Sequence, residues 1–209
     1  MSETGSTSKT VLSRSFSFWF SFFKQSLTKA QKDNVAYEDT IKNICTFNTV
    51  EEFWGYYQHM IRPEQLPVGC EFFLFQKGIK PMWEDSLNMN GGRFVLRIKK
   101  DYGNKFWEDL LLSFIGECKE DSENICGLVV TVKEREIVIS IWIKEITPDQ
   151  REFIKVWIRD ALDLNESIDI EYRDHPKSNP GESHDNKTHG EKKNFQYEVK
   201  KPKEEIDSK

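Results

Sequence analysis

The run Phe16-Ser17-Phe18-Trp19-Phe20-Ser21-Phe22 places a phenylalanine at every second position. A period of two sends alternate side chains to opposite faces of an extended chain, so this segment is a strand. It looks signal-like at first glance but reads as a strand rather than a secretory leader: Ser17 and Ser21 interrupt it, it is short, and no small-residue cleavage site comes after it. No stretch of the chain approaches the roughly 20 apolar residues that span a bilayer.

Other elements are set by capping and periodicity. Thr49-Val50-Glu51-Glu52 is a capping box, in which Thr49 caps the helix and Glu52 reaches back. The pattern predicts a helix from Val50 to about Arg62, before Pro63. Thr147-Pro148-Asp149-Gln150 is a second box, with proline at the first helical position. Its helix carries Phe153, Val156, Trp157 and Ala161 on one face. A third helix is expected over about Lys105 to Ile115, ending at Gly116.

Strands are expected at Ile44–Phe47, Glu71–Phe75, Arg93–Lys99, Ile125–Lys133, Ile137–Ile143 and Ser167–Tyr172. Glu134-Arg135-Glu136 suits a hairpin, and short connections favour antiparallel pairing. The predicted fold class is α+β: an antiparallel sheet with three helices on one face.

The 209 residues fit one domain with tails. Residues 1–10 are a polar N-terminal tail and 11–174 the domain. Residues 175–209 are rich in Lys, Glu, Asn and Gly, too polar to offset the entropy of ordering. Phe195, Tyr197 and Val199 are the only apolar cluster in that tail. Cys45, Cys70, Cys118 and Cys126 include no C-x-x-C pair, and no histidine is spaced to complete a zinc site. They read as reduced, mostly buried thiols of a cytoplasmic or nuclear protein. A net charge of −5 opposes general nucleic-acid binding, where phosphate contacts dominate. Any such role must be local.

Pro81-Met82-Trp83-Glu84-Asp85, with Asn90-Gly91-Gly92-Arg93 soon after, sets an aromatic and a carboxylate side by side among turn formers. Loops carry function more often than cores do. The competing structural reading puts Trp83 in the core and Glu84 in solvent. Tyr37 is a second aromatic in a polar stretch. Arg93, Arg97 and Lys99 share one strand face, opposite Phe94, Leu96 and Ile98, and Lys133 and Arg135 sit at the hairpin. Such a face is as readily a solvated one.

From Tyr37 to about Tyr172 the chain resembles the translation initiation factor 4E family, which binds the messenger-RNA cap. The stretches that carry the resemblance are 46–54 (TFNTVEEFW), 78–85 (GIKPMWED), 106–111 (FWEDLL) and 125–127 (ICG). Tyr37-Glu38-Asp39-Thr40-Ile41-Lys42 and His59-Met60-Ile61-Arg62-Pro63 are more similar to the 4E-homologous-protein branch, class II, than to the main factor.

The resemblance implies a curved sheet with the three helices on its convex face and a cap pocket on the concave side. Tyr37 and Trp83 match the two aromatics that sandwich the base. Tyr37 stands where the main branch has Trp. Glu84 matches the carboxylate that reads the guanine edge, and Trp142 a tryptophan near the methyl group. Arg93 and Lys133 match phosphate-binding positions, although the family usually has Arg at the latter. A further basic position falls on Val138, for which Arg135 is the substitute.

Val50, Trp54, Leu112 and Gly116 match a convex surface that receives a helical motif from scaffold or repressor proteins, with Asp109 beside it. The upstream His-Pro-Leu of the family reads Thr10-Val11-Leu12 here. The helix from Val50 is itself apolar on two stripes, one of Phe53, Tyr57 and Met60 and one of Val50, Trp54 and Ile61. That pattern means full burial or a partner.

The function so implied is binding of capped messenger RNA, as initiation factor or translational repressor, without cofactor, metal, membrane or catalysis. Of His59, His175, His184 and His189, three lie in or beside the tail, and no triad has motif support. The alternative is a single-strand RNA binder without cap specificity, using stacked aromatics.

Overall fold

A computed structural model describes residues 9–22, 37–116, 122–165, 168 and 170–176. Seven strands form one antiparallel, curved sheet. They are β1 (Val11–Phe22), β2 (Ile41–Thr49), β3 (Cys70–Gln76), β4 (Gly92–Lys99), β5 (Ile125–Val132), β6 (Glu136–Ile143) and β7 (Glu171–Asp174). Their spatial order is β2-β1-β3-β5-β6-β4-β7. Among the described residues the α-helices are a single turn, α1 (Tyr37–Thr40), and three longer ones: α2 (Val50–Tyr57), α3 (Lys100–Ile115) and α4 (Pro148–Ala161).

The alternation in β1 sorts the sheet's two faces. Phe16 and Phe18 are fully buried, with Phe47, Phe72, Leu74, Phe94, Leu96, Leu128, Val130, Ile139 and Ile141 on the same side. The three longer helices close that side with Phe53 and Tyr57, with Phe106, Leu110, Leu111 and Phe114, and with Ile154 and Ile158. This is the expected architecture of three helices on one face. The opposite face carries a smaller apolar cluster of Phe73, Phe75, Ile79, Cys126, Val129 and Trp142, against which Trp19 and Trp83 pack.

Several boundaries differ from the sequence expectation. Helix α2 stops at Tyr57 rather than near Arg62. Arg62 must be extended before Pro63 (φ −73°, ψ 151°), and the N–H groups of His59 and Met60 donate back three residues to close the last turn. Helix α3 starts at Lys100, five residues earlier than Lys105, despite Gly103 in its first turn. Gly103 is there for contact: a β-carbon at this position would lie 2.2 Å from Ile137 Cδ1. In α4 the buried pair is Ile154 and Ile158, with Trp157 and Ala161 at the margin. Phe153 and Val156 point away, 64% and 53% exposed. The last strand is Glu171–Asp174, not Ser167–Tyr172, because it pairs only with the first half of β4, from Gly92↔Asp174 to Val95↔Glu171.

Both N-caps sit where the sequence places them, but only the Thr147 box is complete: Glu52 reaches back past Thr49 to the N–H of Asn48. Thr49 accepts from Glu52 N, Asn48 N donates to the Glu52 carboxylate, and Thr147 and Gln150 cap reciprocally. Cys45, Cys70 and Cys126 are buried free thiols. Cys118 and the cluster of Phe195, Tyr197 and Val199 lie outside the described residues. No helix among the described residues is long and apolar enough to cross a membrane.

Candidate functional site

The open face of the sheet carries the site. In antiparallel ladders, residues directly opposite share a face. One row runs Ser17, Phe75, Gly127, Trp142, Arg93 and Arg173 across β1, β3, β5, β6, β4 and β7. Another runs Ser21, Glu71, Thr131, Val138 and Arg97. Trp142 is 7% exposed, with its ring edge-on to Phe75 at 5.6 Å. On its other side the His175 ring lies 4.3 Å away.

The 77–91 loop projects Trp83 and Glu84 beside this face. Gly78 turns it with φ +94°, a backbone region that L side chains rarely adopt. Two side chains then hold it. Asp85 accepts from the backbone N–H groups of Lys80 (3.0 Å) and Leu87 (3.0 Å). The fully buried Asn88 donates to the carbonyls of Lys80 (2.9 Å) and Met82 (2.7 Å). Cys126 Sγ donates to Leu87 O at 3.6 Å, fastening the loop to β5. Trp83 is half-buried against the open-face cluster and Glu84 is exposed. Neither side chain is among those that pin the loop.

Tyr37 opens α1, which leads straight into β2. Thr40 Oγ1 donates to Tyr37 O (2.6 Å), and Ser21 Oγ donates to Thr40 Oγ1 (3.4 Å). Lys80 Nζ meets Glu38 Oε1 at 2.6 Å, tying α1 to the loop that bears Trp83. This pair is exposed at both ends, so it orients more than it stabilises. Burial pushes the Tyr37 phenol well above its ordinary range, Glu71 and Glu84 push it further, and Arg93 opposes them. Tyr37, Glu84, Arg93 and Glu71 therefore share one electrostatic neighbourhood, and the structure brings Tyr37 to the side of the sheet that holds Trp83 and Trp142.

The cations are distributed less evenly. Arg93 is half-buried; burial, then Arg173, lowers its pKa, while Glu71 and Tyr37 raise it. Arg173 itself is forked onto Glu171 at 2.7 and 2.8 Å. Lys133 and Arg135 are exposed at the β5–β6 turn, where Lys133 N donates to Glu136 O at 2.9 Å. Arg97 is ion-paired with Glu136 across the strands. Val138 faces the same row without charge.

The convex-face candidates lie on α2, at its start, and on α3. Trp54 is 41% exposed, propped edge-on against the buried Phe53 at 5.1 Å, and Leu112 is 36% exposed. Val50 and Gly116 are half-buried, the latter donating to Leu112 O at 3.0 Å. Asp109 is ion-paired with Lys105. Of the two stripes on α2, Phe53 and Tyr57 are core and Trp54 is outward.

Three residues of the open face escape a reading by sequence alone. Asn88, Glu71 and His175 each depend on register or loop closure. His175, read as the first residue of the polar tail, is 3% exposed. Burial, and then Arg93, depress its pKa to about 4, so its ring is neutral against Trp142.

Residues 11–190 match the family model described as Eukaryotic initiation factor 4E. A relative named eukaryotic translation initiation factor NCBP, from Arabidopsis thaliana, is 39% identical over 146 residues, 69% of this chain and 66% of that protein. Eukaryotic translation initiation factor 4E1 of Drosophila melanogaster is 37% identical over 145 residues, 67% of this chain and 56% of that protein. The chain thus matches between 56% and 66% of the length of these curated relatives. Among solved structures, C. elegans eIF4E-3 in complex with the 4E-binding protein Mextli and a cap analog is 29% identical, with a TM-score of 0.73. That match covers 80% of this chain and 94% of the other. Ascaris suum eIF4E-3 with an m2,2,7G cap has the same identity and TM-score, covering 82% and 94%.

Proposed function

Because the chain belongs to the eukaryotic initiation factor 4E family, we propose that it binds the 7-methylguanosine cap of messenger RNA and regulates translation initiation. One observation carries the reading. Tyr37 and Trp83 come from separate segments that the Lys80–Glu38 pair ties together, and the charges of Glu84 and Arg93 act on Tyr37. Methylation of the guanine ring nitrogen makes the base cationic. A desolvated cation between two π faces gains about 2 kcal/mol or more. Glu84 accepts from the guanine edge and supplies the opposite charge. Trp142 closes the deep side near the methyl group, and Arg93, Lys133 and Arg135 take the phosphates.

The chain acts as a binding module, without catalysis, in the cytoplasm or nucleus. Its partners are capped messenger RNA and scaffold or repressor proteins whose helical motif lies across Val50, Trp54, Leu112 and Gly116 beside Asp109. The solved relative in complex with a 4E-binding protein and a cap analog supports both kinds of partner. Tyrosine at position 37, and the higher identity to NCBP proteins than to 4E and 4E-1 proteins, favour the class II branch.

The test is retention on a cap-analogue resin. Elution by free cap analogue but not by unmethylated GTP is the expected result. Elution by any single-stranded RNA would mark general RNA binding instead.

Tyr37 provides a second measurement. Tyr37→Trp enlarges the stacking face and should hold or tighten cap binding, by up to about tenfold for a gain of roughly 1.4 kcal/mol. Tyr37→Ala should weaken it strongly. Isothermal titration of both variants at one salt concentration checks this, and unchanged affinity in both removes Tyr37 from the sandwich.

A further inference from the structure

Glu71 is a carboxylate in the wrong place for a phosphate site. It lies mid-sheet on the open face of β3, half-buried, in the row Ser21, Glu71, Thr131, Val138 and Arg97. The Thr131 hydroxyl donates to Glu71 Oε1 at 2.7 Å. Each element around it brings different chemistry. Ser21 of β1 and Val138 of β6 bring no charge. Arg97 of β4 is engaged by Glu136. Lys133 after β5 and Arg93 of β4 act on it as cations, Tyr37 of α1 meets it as a neutral phenol, and Cys70 next to it is a neutral thiol.

We propose that Glu71 is the resident counter-ion of the cations that take the cap's phosphates, and that the triphosphate enters the site together with a proton on this carboxyl. The inference rests on the cap-binding reading and goes a step further, to what sets the site's response to phosphate and to pH. In the free protein the Glu71 carboxylate is a counter-charge that Lys133 and Arg93 both feel. When phosphates arrive on those cations, the same carboxylate is a like charge on the face they enter. Val138, in the same row, brings no cation to compensate for it. Taking a proton from solvent leaves a neutral carboxylic acid, which still accepts from Thr131 and no longer opposes the phosphates.

The physics fixes the direction of the linkage. Burial already holds the Glu71 carboxyl above the usual carboxylate range, while Thr131, Lys133 and Arg93 pull it down. Bound phosphate adds negative charge and diverts the two cations, so the bound-state pKa is higher still. The complex then holds more protons than the free components between the two values. Affinity for the triphosphate rises as pH falls through the bound-state value and levels off below the free-state value. A cap nucleoside, which has no phosphates, lacks this dependence.

The experiment uses the full chain with 7-methyl-GTP and 7-methylguanosine as ligands. Glu71→Gln keeps the acceptor for Thr131 and removes the charge. It should tighten 7-methyl-GTP by about tenfold, the equivalent of roughly 1.4 kcal/mol, by removing a like charge from the face the phosphates enter. It should leave 7-methylguanosine unchanged. The methylated base titrates too, so variant and wild type are compared at each pH, where the ligand's own contribution cancels.

Calorimetry in buffers of different ionisation enthalpy counts the protons, and the ligand's own terminal phosphate, which also titrates in the mildly acidic range, cancels between wild type and Glu71→Gln. With 7-methyl-GTP at mildly acidic pH the wild type should take up more protons than the variant, and with 7-methylguanosine the two should agree. A Glu71→Gln protein with unchanged or weaker triphosphate binding, or with the same proton uptake as wild type on binding the triphosphate, overturns the proposal. A wild type that binds neither ligand overturns the cap-binding reading instead.

Discussion

Replacing Trp83 by alanine is expected to abolish measurable cap binding while the domain stays folded. The side chain is half-buried, packed on one side against the open-face cluster and open on the other to stack. The loop that carries it is held by Asp85, Asn88 and the Cys126 thiol, none of which uses the indole. The substitution therefore removes a wall of the pocket but not the scaffold. Losing the better cation–π partner costs about 2 kcal/mol. The base also loses one of its two apolar contacts, so the combined loss is about a hundredfold or more in affinity. Fluorescence or calorimetric titration with cap analogue gives the affinity. A thermal melt on the same sample should move by only a few degrees, as suits about 1 kcal/mol in a domain of this size. Full affinity with an unchanged melt would remove Trp83 from the site. Loss of affinity together with collapse of the melt would make Trp83 a core residue, which is the competing reading of the sequence.

A linear sequence supports both readings of Trp83 because it records local signals and hides distant ones. Alternation in Phe16–Phe22 fixes a strand and its faces, and the N-caps Thr49 and Thr147 fix the starts of α2 and α4, because these signals span a few consecutive residues. The start of α3 is different. Gly103 looks like a helix breaker until Ile137, on a strand more than thirty positions later, is seen to fill the space that its side chain would take. In α4, Phe153 and Val156 are as apolar as Ile154 and Ile158, and only the orientation of the helix on the sheet decides which pair is buried.

The site divides along the same line. Trp83 and Glu84 stand out because an aromatic and a carboxylate share a loop with turn formers. Glu71 and Thr131 are sixty residues apart and become neighbours only through the β3–β5 register. His175 reads as tail because the residues after it are polar, yet its backbone N–H donates to Gly91 O at 3.1 Å and its ring backs Trp142. Asn88 looks like one more turn residue, and its two donated bonds inside the loop are invisible until the loop is closed. Capping and alternation are written into neighbouring residues; contacts across a sheet are not.

Glu84→Gln is the change expected to act on base identity rather than on stacking. Glu84 is exposed at the tip of the loop, so the substitution carries little cost to the fold. A carboxylate offers acceptors on both oxygens, which suits the two neighbouring donors on the guanine edge. The amide keeps one acceptor and turns a donor toward a donor. Charge-assisted bonds are worth about 1.5–3 kcal/mol each. Removing one, unbalancing the other and deleting the negative charge beside a cationic base should weaken 7-methyl-GTP by about a hundredfold or more. The discrimination is the sharper readout. Wild-type protein should prefer a 7-methylguanine cap over a cap whose base is adenine, which presents a different edge, and the preference should shrink in the variant. Stacking on Tyr37 and Trp83 would remain, so residual binding in Glu84→Gln should be tolerant of base identity. Equal binding of guanine and adenine caps by the wild type would mean that Glu84 does not read the base. In that event the aromatic walls and the phosphate cations would account for all of the affinity.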